Sequence, residues 1–524
     1  MIEIDLFDNI YKNKLLVDLF DNNQGLKDFH CGCNIDFIDE SFLKQRDLDT
    51  KTRKILYNTI SKQYEESDLP LPKNVKLIKN EGVFTITTGH QLCLFGGPQY
   101  FIHKIVSVLS LAKKLKEKFP QNDFIAVFWL ASEDHDFKEI NHLNVFNNHL
   151  SIEGEDTIAV GKLNPSIFDS ILQELQLIFK NDNRYNELDY VFSNALKRGT
   201  WSQSTRYWVS KLFNNEDLIV LDADDKSLKE LFFDSFSSEI NHQFIYNSVV
   251  QTNNELIQLG YKPKINPREL NLFYLSNYKR ERIIFDGDNF KIGKDNFTKK
   301  ELLLKLNSSI EKFSPNVLLR PLYQESILPN LIYVGGPSEI AYWLQLKKAF
   351  QFSALNFPVI ILRDHFTWLS SKQIDKWLKM DFSYDDLIKK TDNLIKLFLQ
   401  NHHNTNIDLN NQKNQLNQIE LDLVNKASDI DQTLVPMVKS ALKGMKNTLD
   451  KVNYKFTQSL KKNKDQQISQ IKSINHSIID NGVLKERVDN FIGPFLNCNG
   501  DYIERLKKYS NPAFSFVLIG KLTR

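Results

Sequence analysis

Apolar residues change their spacing several times along this chain, and the changes divide it. Val83-Phe84-Thr85-Ile86-Thr87 is a β-branched run that predicts a buried strand. From Tyr100 to Leu109 the apolar positions recur at helical spacing. Phe124-Ile125-Ala126-Val127-Phe128-Trp129-Leu130 is apolar without alternation, as in a parallel strand covered on both faces. Leu218 to Leu221, Leu331 to Val334 and Pro358 to Leu362 predict three more buried strands. Strands alternating with helical segments predict an α/β fold built on a doubly wound sheet.

Other stretches read differently. Residues 1–80 look mostly helical. The polar stretch 151–216, which carries Trp201 and Trp208, reads as an insertion; shorter hairpin-like strands near 240–315 suggest a second one. From 384 to 478 glycine and proline nearly vanish. There Leu416, Ile419, Leu423, Ala427, Ile430, Leu434, Met437, Ala441, Met445, Val452 and Phe456 step by three or four, a coiled-coil seam with Pro436 and Gly444 as expected interruptions. A projecting antiparallel hairpin is one reading and an ordinary pair of core helices the other. The expected organisation is a core in two halves, 1–150 and 217–383, with 151–216 inserted, a coiled coil over 384–478, and a segment 479–524 returning to the core. Apolar positions left over on the hairpin predict a homodimer through it.

Charge narrows the partners. Lys and Arg number 67 against 65 Asp and Glu, so no global field points to nucleic acid or membrane. The lysines of the coiled coil have few interleaved aromatics and line solvated edges in this reading. No apolar run is long enough to span a bilayer, and Met1-Ile2-Glu3-Ile4-Asp5 lacks the form of a signal peptide. The four cysteines include Cys31-Gly32-Cys33, which is neither the usual redox spacing nor half of a zinc knuckle. A reduced, cytoplasmic protein without a bound metal is the expectation.

Chemistry-bearing residues gather where strands end. "TTGHQLCLFGGPQY" (87–100) places a glycine-rich turn between strand and helix, the geometry of an anion cradle, with His90 and Gln91 as hydrogen-bonding groups. It lacks the Gly-Lys-Ser/Thr of a P-loop and the glycine spacing of a dinucleotide fingerprint. Ser132-Glu133-Asp134-His135-Asp136 follows the second strand, and His142 lies seven residues beyond His135. These groups could serve acid–base work or hold an amine, ligate a metal through His135 and His142, or cap a helix. "YVGGPSEIAYW" (333–343) repeats the strand, Gly-Gly-Pro, helix order, so two helix N-termini are expected to face one crevice. Arg320, Gln324 and Arg363 are expected at strand ends. Lys485 and Arg487 are candidate phosphate contacts, or else pin the returning chain.

Taken together, "TTGHQLCLFGGPQYFIHK", "VFWLASEDHDFKEINH", "VLDADD", "VLLRPLYQESILPNLIYVGGPSEIAYWLQLK" and "LKERVDNF" resemble the bacillithiol-biosynthesis cysteine-adding enzyme family (BshC). The motifs fall in order over nearly the whole chain. The resemblance implies a Rossmann-like core similar to class I nucleotidyltransferases, with connecting-peptide insertions and an α-helical coiled coil through which the protein dimerises. It implies a ligase that joins cysteine to glucosaminyl-malate. ATP follows from that reaction, since a carboxylate does not acylate an amine unaided in water, and Mg2+ enters only as its counter-ion. Carried onto this chain, the catalytic candidates are Glu133, Asp134, His135 and Asp136. Candidate substrate contacts are His90, Gln91, Gly97, Tyr100, Lys104, His142, Arg320, Gln324, Gly335, Gly336, Ser338, Glu339 and Tyr342, with Lys485 and Arg487 for the nucleotide. His90 stands where many members have Gln, and Gly96 where Thr is usual. The His-x-Gly-His and Lys-Met-Ser-Lys-Ser signatures of class I synthetases are absent, which keeps a nucleotide-binding scaffold as an alternative; a metal-dependent hydrolase using His135 and His142 is another.

Overall fold

The computed structural model describes the chain except residues 1, 6–12, 155–158, 214–216, 277–278, 403–408, 481, 499, 513–515 and 523–524. The five apolar runs form one sheet. Its strands are β1 (Val83–His90), β2 (Asp123–Leu130), β3 (Leu218–Asp222), β4 (Asn330–Gly335) and β5 (Val359–Leu362). They lie in the order β5-β4-β1-β2-β3, and every neighbouring pair is parallel. The chain winds outward from β1 to β3, then returns to lay β4 and β5 on the other side of β1. The order reverses between β1 and β4, where open α/β sheets bind ligands beyond their carboxyl ends.

The uninterrupted apolar pattern has a direct cause. Ala126, Phe128 and Leu130 of β2 enter one core, while Ile125, Val127 and Trp129 enter the other. Polar side chains in the sheet are paired. The Thr85 and Thr87 hydroxyls donate to Asn330 Oδ1 at 3.2 and 2.8 Å, and Thr88 donates to the Val334 carbonyl at 2.8 Å. These bonds fasten β1 to β4 at the switch point while leaving few buried polar groups unmet.

Helix α1 (Tyr100–Lys118) follows β1 and buries Phe101, Ile102, Ile105 and Val106 completely. The stretch 151–216 supplies α2 (Trp201–Leu212), capped by the Thr200 side chain. Its Trp201 and Trp208 are fully buried, with Phe95 and Phe101 as ring neighbours, so this polar-looking stretch furnishes part of the core. Between β3 and β4 the chain builds a five-stranded antiparallel sheet in the order Asp295–Phe297, Phe290–Ile292, Lys279–Phe285, Leu272–Ser276, Phe313–Pro315. Two short helices matter for the site: α3 (Arg320–Ile327) and α4 (Pro337–Trp343).

Residues 1–368 and 483–524 make one compact unit, and residues 369–482 a second. The second contains α5 (Asn410–Ile430), α6 (Val435–Asn463) and α7 (Asp465–His476). Ion pairs Lys413–Asp450 (2.5 Å) and Glu420–Lys446 set α5 and α6 antiparallel. The expected interruptions at Pro436 and Gly444 do not occur. Pro436 sits in the first turn of α6, where its missing N–H has no partner to lose, and Gly444 lies within the continuous helix. The break falls at Asp431, whose φ is −164°.

Candidate active site

The first glycine turn is not the open anion cradle its sequence suggests. Phe95, Gly96 and Gly97 all have positive φ (42°, 85° and 50°), which turns the chain sharply between β1 and α1. The polar groups this exposes are met by the chain's own C-terminal segment. Asn490 Nδ2 donates to the Phe95 and Gly97 carbonyls at 2.9 and 2.7 Å, and the Gln99 N–H donates to the Asp489 carbonyl at 2.8 Å. A Cβ on Gly97 would stand 2.7 Å from Cys93 Cβ, so glycine is needed for space as well as conformation. The second turn is also filled. The Glu339 carboxylate caps α4 by accepting the Gly336 N–H at 2.8 Å, and it accepts from Tyr333 OH at 2.6 Å. Lys104 Nζ lies 2.5 Å from the same carboxylate and donates to the Gly89 carbonyl at 2.8 Å.

What remains open is a cavity of about 720 Å³ above the β1–β4 switch point. One wall is cationic. Arg320, Arg363 and Arg487 line it with Lys104, around the rings of Tyr100 and Tyr333. The Arg363 and Arg487 guanidinium carbons lie 4.8 and 5.5 Å from the Tyr100 ring centre. Arg363 is held from behind by Glu486, 1% exposed, at 2.7 Å; that carboxylate also faces His365 Nδ1 at 2.7 Å and His103 Nδ1 at 2.9 Å. The floor beyond β2 and β3 is anionic, with Glu133, Asp134 and Asp224. The outer wall comes from the antiparallel sheet: Phe273, with Arg280 stacked 4.0 Å from its ring, and Arg282.

Environment separates the ionisable groups. Burial raises Glu339, but Lys104 outweighs it and holds the carboxyl at about 2. Asp134 also sits at about 2, because bonds from His135 and the charge of Arg280 overcome its burial. Glu133 goes the other way: burial and the neighbouring Asp224 raise it against Lys229. His90 is pushed down to about 3 by burial and by Lys104, so it is a neutral imidazole. Burial lifts Tyr100 well above its ordinary value.

Of the residues singled out in the sequence, His90, Gln91, Tyr100, Lys104, Glu133, Asp134, Arg320, Gly336, Ser338, Glu339, Tyr342, Arg363 and Arg487 line this cavity. The others stand outside its lining, each for a local reason. Gly97 shapes the turn. His135 packs against Phe273, with its ring nitrogen 3.5 Å from Asp134. Asp136 caps the short helix Phe137–Ile140, which realises the capping alternative. That helix ends before His142, which opens a hairpin strand beside His149, so His135 and His142 do not share a helical face. Gln324 is fully buried and accepts from Arg320 Nη1 at 3.0 Å. Gly335 gives its carbonyl to the Arg363 N–H at 2.9 Å. Lys485 is 8% exposed and lies 3.3 Å from Asp489. Arg320 opens α3 rather than ending a strand, because Asn316 Oδ1 takes the Leu318 and Leu319 N–H groups and starts the helix. Sequence reasoning missed Lys229 and Arg280, buried cations behind the acidic residues. Among the described residues, no three His, Cys, Asp or Glu side chains group as a metal site.

Comparison with known proteins agrees with this architecture. Residues 2–364 match "Bacillithiol biosynthesis BshC, N-terminal Rossmann-like domain", and residues 366–519 match "Bacillithiol biosynthesis BshC, C-terminal coiled-coil domain". The chain belongs to the BshC family. Relatives from Flavobacterium johnsoniae, Flavobacterium psychrophilum and Christiangramia forsetii are 36%, 34% and 32% identical to it. The alignments cover 92%, 97% and 90% of this chain and 92%, 97% and 89% of theirs. Each of the three carries the name "Putative cysteine ligase BshC". As a BshC family member, the chain carries the Rossmann-like unit that builds the cavity and the coiled coil that forms the second unit.

Proposed function

We propose that this protein joins cysteine to the amine of glucosaminyl-malate, forming an amide in bacillithiol biosynthesis. The observation that carries the reading is the division of the switch-point cavity into a cationic wall and an anionic floor. Glucosaminyl-malate has two carboxylates at one end and an amine at the other, and a site of this kind holds both in one orientation. Cysteine's carboxyl needs activation, and ATP with Mg2+ as its counter-ion is the proposed source. The donor set fits such an anion: Arg487 stands at the cavity with no carboxylate in ion-pair contact among the described residues, stacked only on Tyr100. Lys485 is the poorer phosphate contact because Asp489 already neutralises it.

The coiled coil supports a homodimer. Ile430, Met437, Met445 and Phe456 are 77%, 62%, 54% and 48% exposed in the single chain, a run of apolar surface that a second copy can cover. No helix among the described residues is long and apolar enough to cross a membrane. A host that makes bacillithiol and lacks this gene tests the assignment. Accumulated glucosaminyl-malate with no bacillithiol is expected, and normal bacillithiol would refute it.

A further inference from the structure

Five carboxylates line the cavity, and four are committed elsewhere or lie at its edge. Asp134 accepts from Gln91 Nε2 at 3.1 Å and from the His135 N–H at 2.8 Å, with Arg280 at 3.6 Å. Asp224 is gripped by Lys162 at 2.9 Å and Lys229 at 2.5 Å. Glu339 is held by Lys104, Tyr333 and the α4 N-terminus. Glu139 is exposed and takes a bond from Gln91. Glu133 differs. Its side chain is 14% exposed, and among the described residues its one ion-pair contact is Lys229 Nζ, 2.7 Å from Oε1. Lys229 is itself fully buried, and its third contact is the Glu311 carbonyl at 3.0 Å.

We propose that Glu133 accepts the proton of the attacking amine, and that Lys229 is the positioning residue that fixes its carboxylate at the cavity floor. This rests on the ligase reading. The substrate ammonium passes one proton to a Glu133 oxygen, which frees the nitrogen lone pair. That pair forms the C–N bond at the carboxyl carbon of cysteine, activated as a mixed anhydride by a nucleoside triphosphate. The C–O bond to the phosphoryl or adenylyl group breaks, and the second nitrogen proton leaves with that group's oxygen. The groups facing Glu133 are Lys229 and Arg280, which favour its charge, and Asp224, which opposes it, with Tyr323 beneath and Lys162 behind Asp224. Their balance with burial leaves Glu133 a stronger base than an ordinary carboxylate, whereas Asp134 is a weak one.

Two readouts test this. The first is the pH profile of kcat/KM for amide formation. The second needs no turnover: calorimetric affinity for glucosaminyl-malate against its N-acetylated counterpart. The wild type should show an acid limb above the ordinary carboxylate range and prefer the free amine at least about tenfold. E133Q should lose about a hundredfold or more in rate and both signatures, while E133D, which keeps the charge, restores the limb at reduced rate. K229M should move the limb to higher pH, K229R should return it, and D134N should leave the limb in place. An acid limb that survives E133Q, or one abolished by D134N, overturns the proposal. Absence of product with a Glu133-dependent amine preference would fail the ligase reading and still support Glu133 as the group facing the amine. An amine preference that survives E133Q overturns Glu133's role even where product forms.

Discussion

Glu339 shows how one side chain can serve structure and site together. Its carboxyl, held at about 2 against an ordinary 4.5, caps α4 and neutralises Lys104 under the cavity. A depressed carboxylate contributes stability that is complete above its unfolded value and is lost as pH falls through the folded one. Urea unfolding between pH 4.5 and 2 should therefore show this loss in the wild type and a flatter curve in E339Q, which should also be weaker by roughly 3 kcal/mol near neutrality because Lys104 is left unpaired. Arg487 makes a second prediction. ATP titrated into R487A should bind on the order of tenfold more weakly, and into R320A less weakened, because Arg320 already spends a donor on Gln324. Equal affinity in R487A and wild type would remove Arg487 from the nucleotide site. At this scale much of the site was legible: the motifs at strand ends named most of the cavity's polar lining. Lys229 was not, since Lys226-Ser227-Leu228-Lys229 reads as a solvated helix face until the fold buries it.

Among the elements, the segment after the coiled coil does more than return the chain to the core. Its Glu486 holds Arg363, His365 and His103, its Asn490 closes the first glycine turn, and its Arg487 reaches the cavity. E486Q is expected to cost on the order of 3 kcal/mol and to lower the urea midpoint, since it removes the charge opposite a buried guanidinium. An unchanged midpoint would show that the segment is not anchored there. The five strands were readable because parallel strands buried on both faces carry unbroken apolar runs. The filling of both glycine turns was not readable, because a glycine turn looks the same whether its polar groups meet a ligand or a distant part of the same chain. The two tryptophans of 151–216 likewise sat in polar surroundings that masked a core helix.

For the whole molecule, the coiled coil and the Rossmann-like unit carry separable predictions. Light scattering on a variant with residues 410–463 replaced by a short Gly-Ser loop should find a folded monomer, and on the full chain a dimer; a dimeric variant would refute assembly through the hairpin. The antiparallel pairing of α5 and α6 agrees with the heptad-like spacing, and Ile430 and Met437 are positions of that spacing left exposed. Amide formation by the proposed reaction is directly measurable. The most direct measurement is mass spectrometry of the full-length protein incubated with cysteine, glucosaminyl-malate and ATP-Mg2+. Cysteinyl-glucosaminyl-malate should accumulate with time and in proportion to protein, and no product above background would contradict amide formation by this protein.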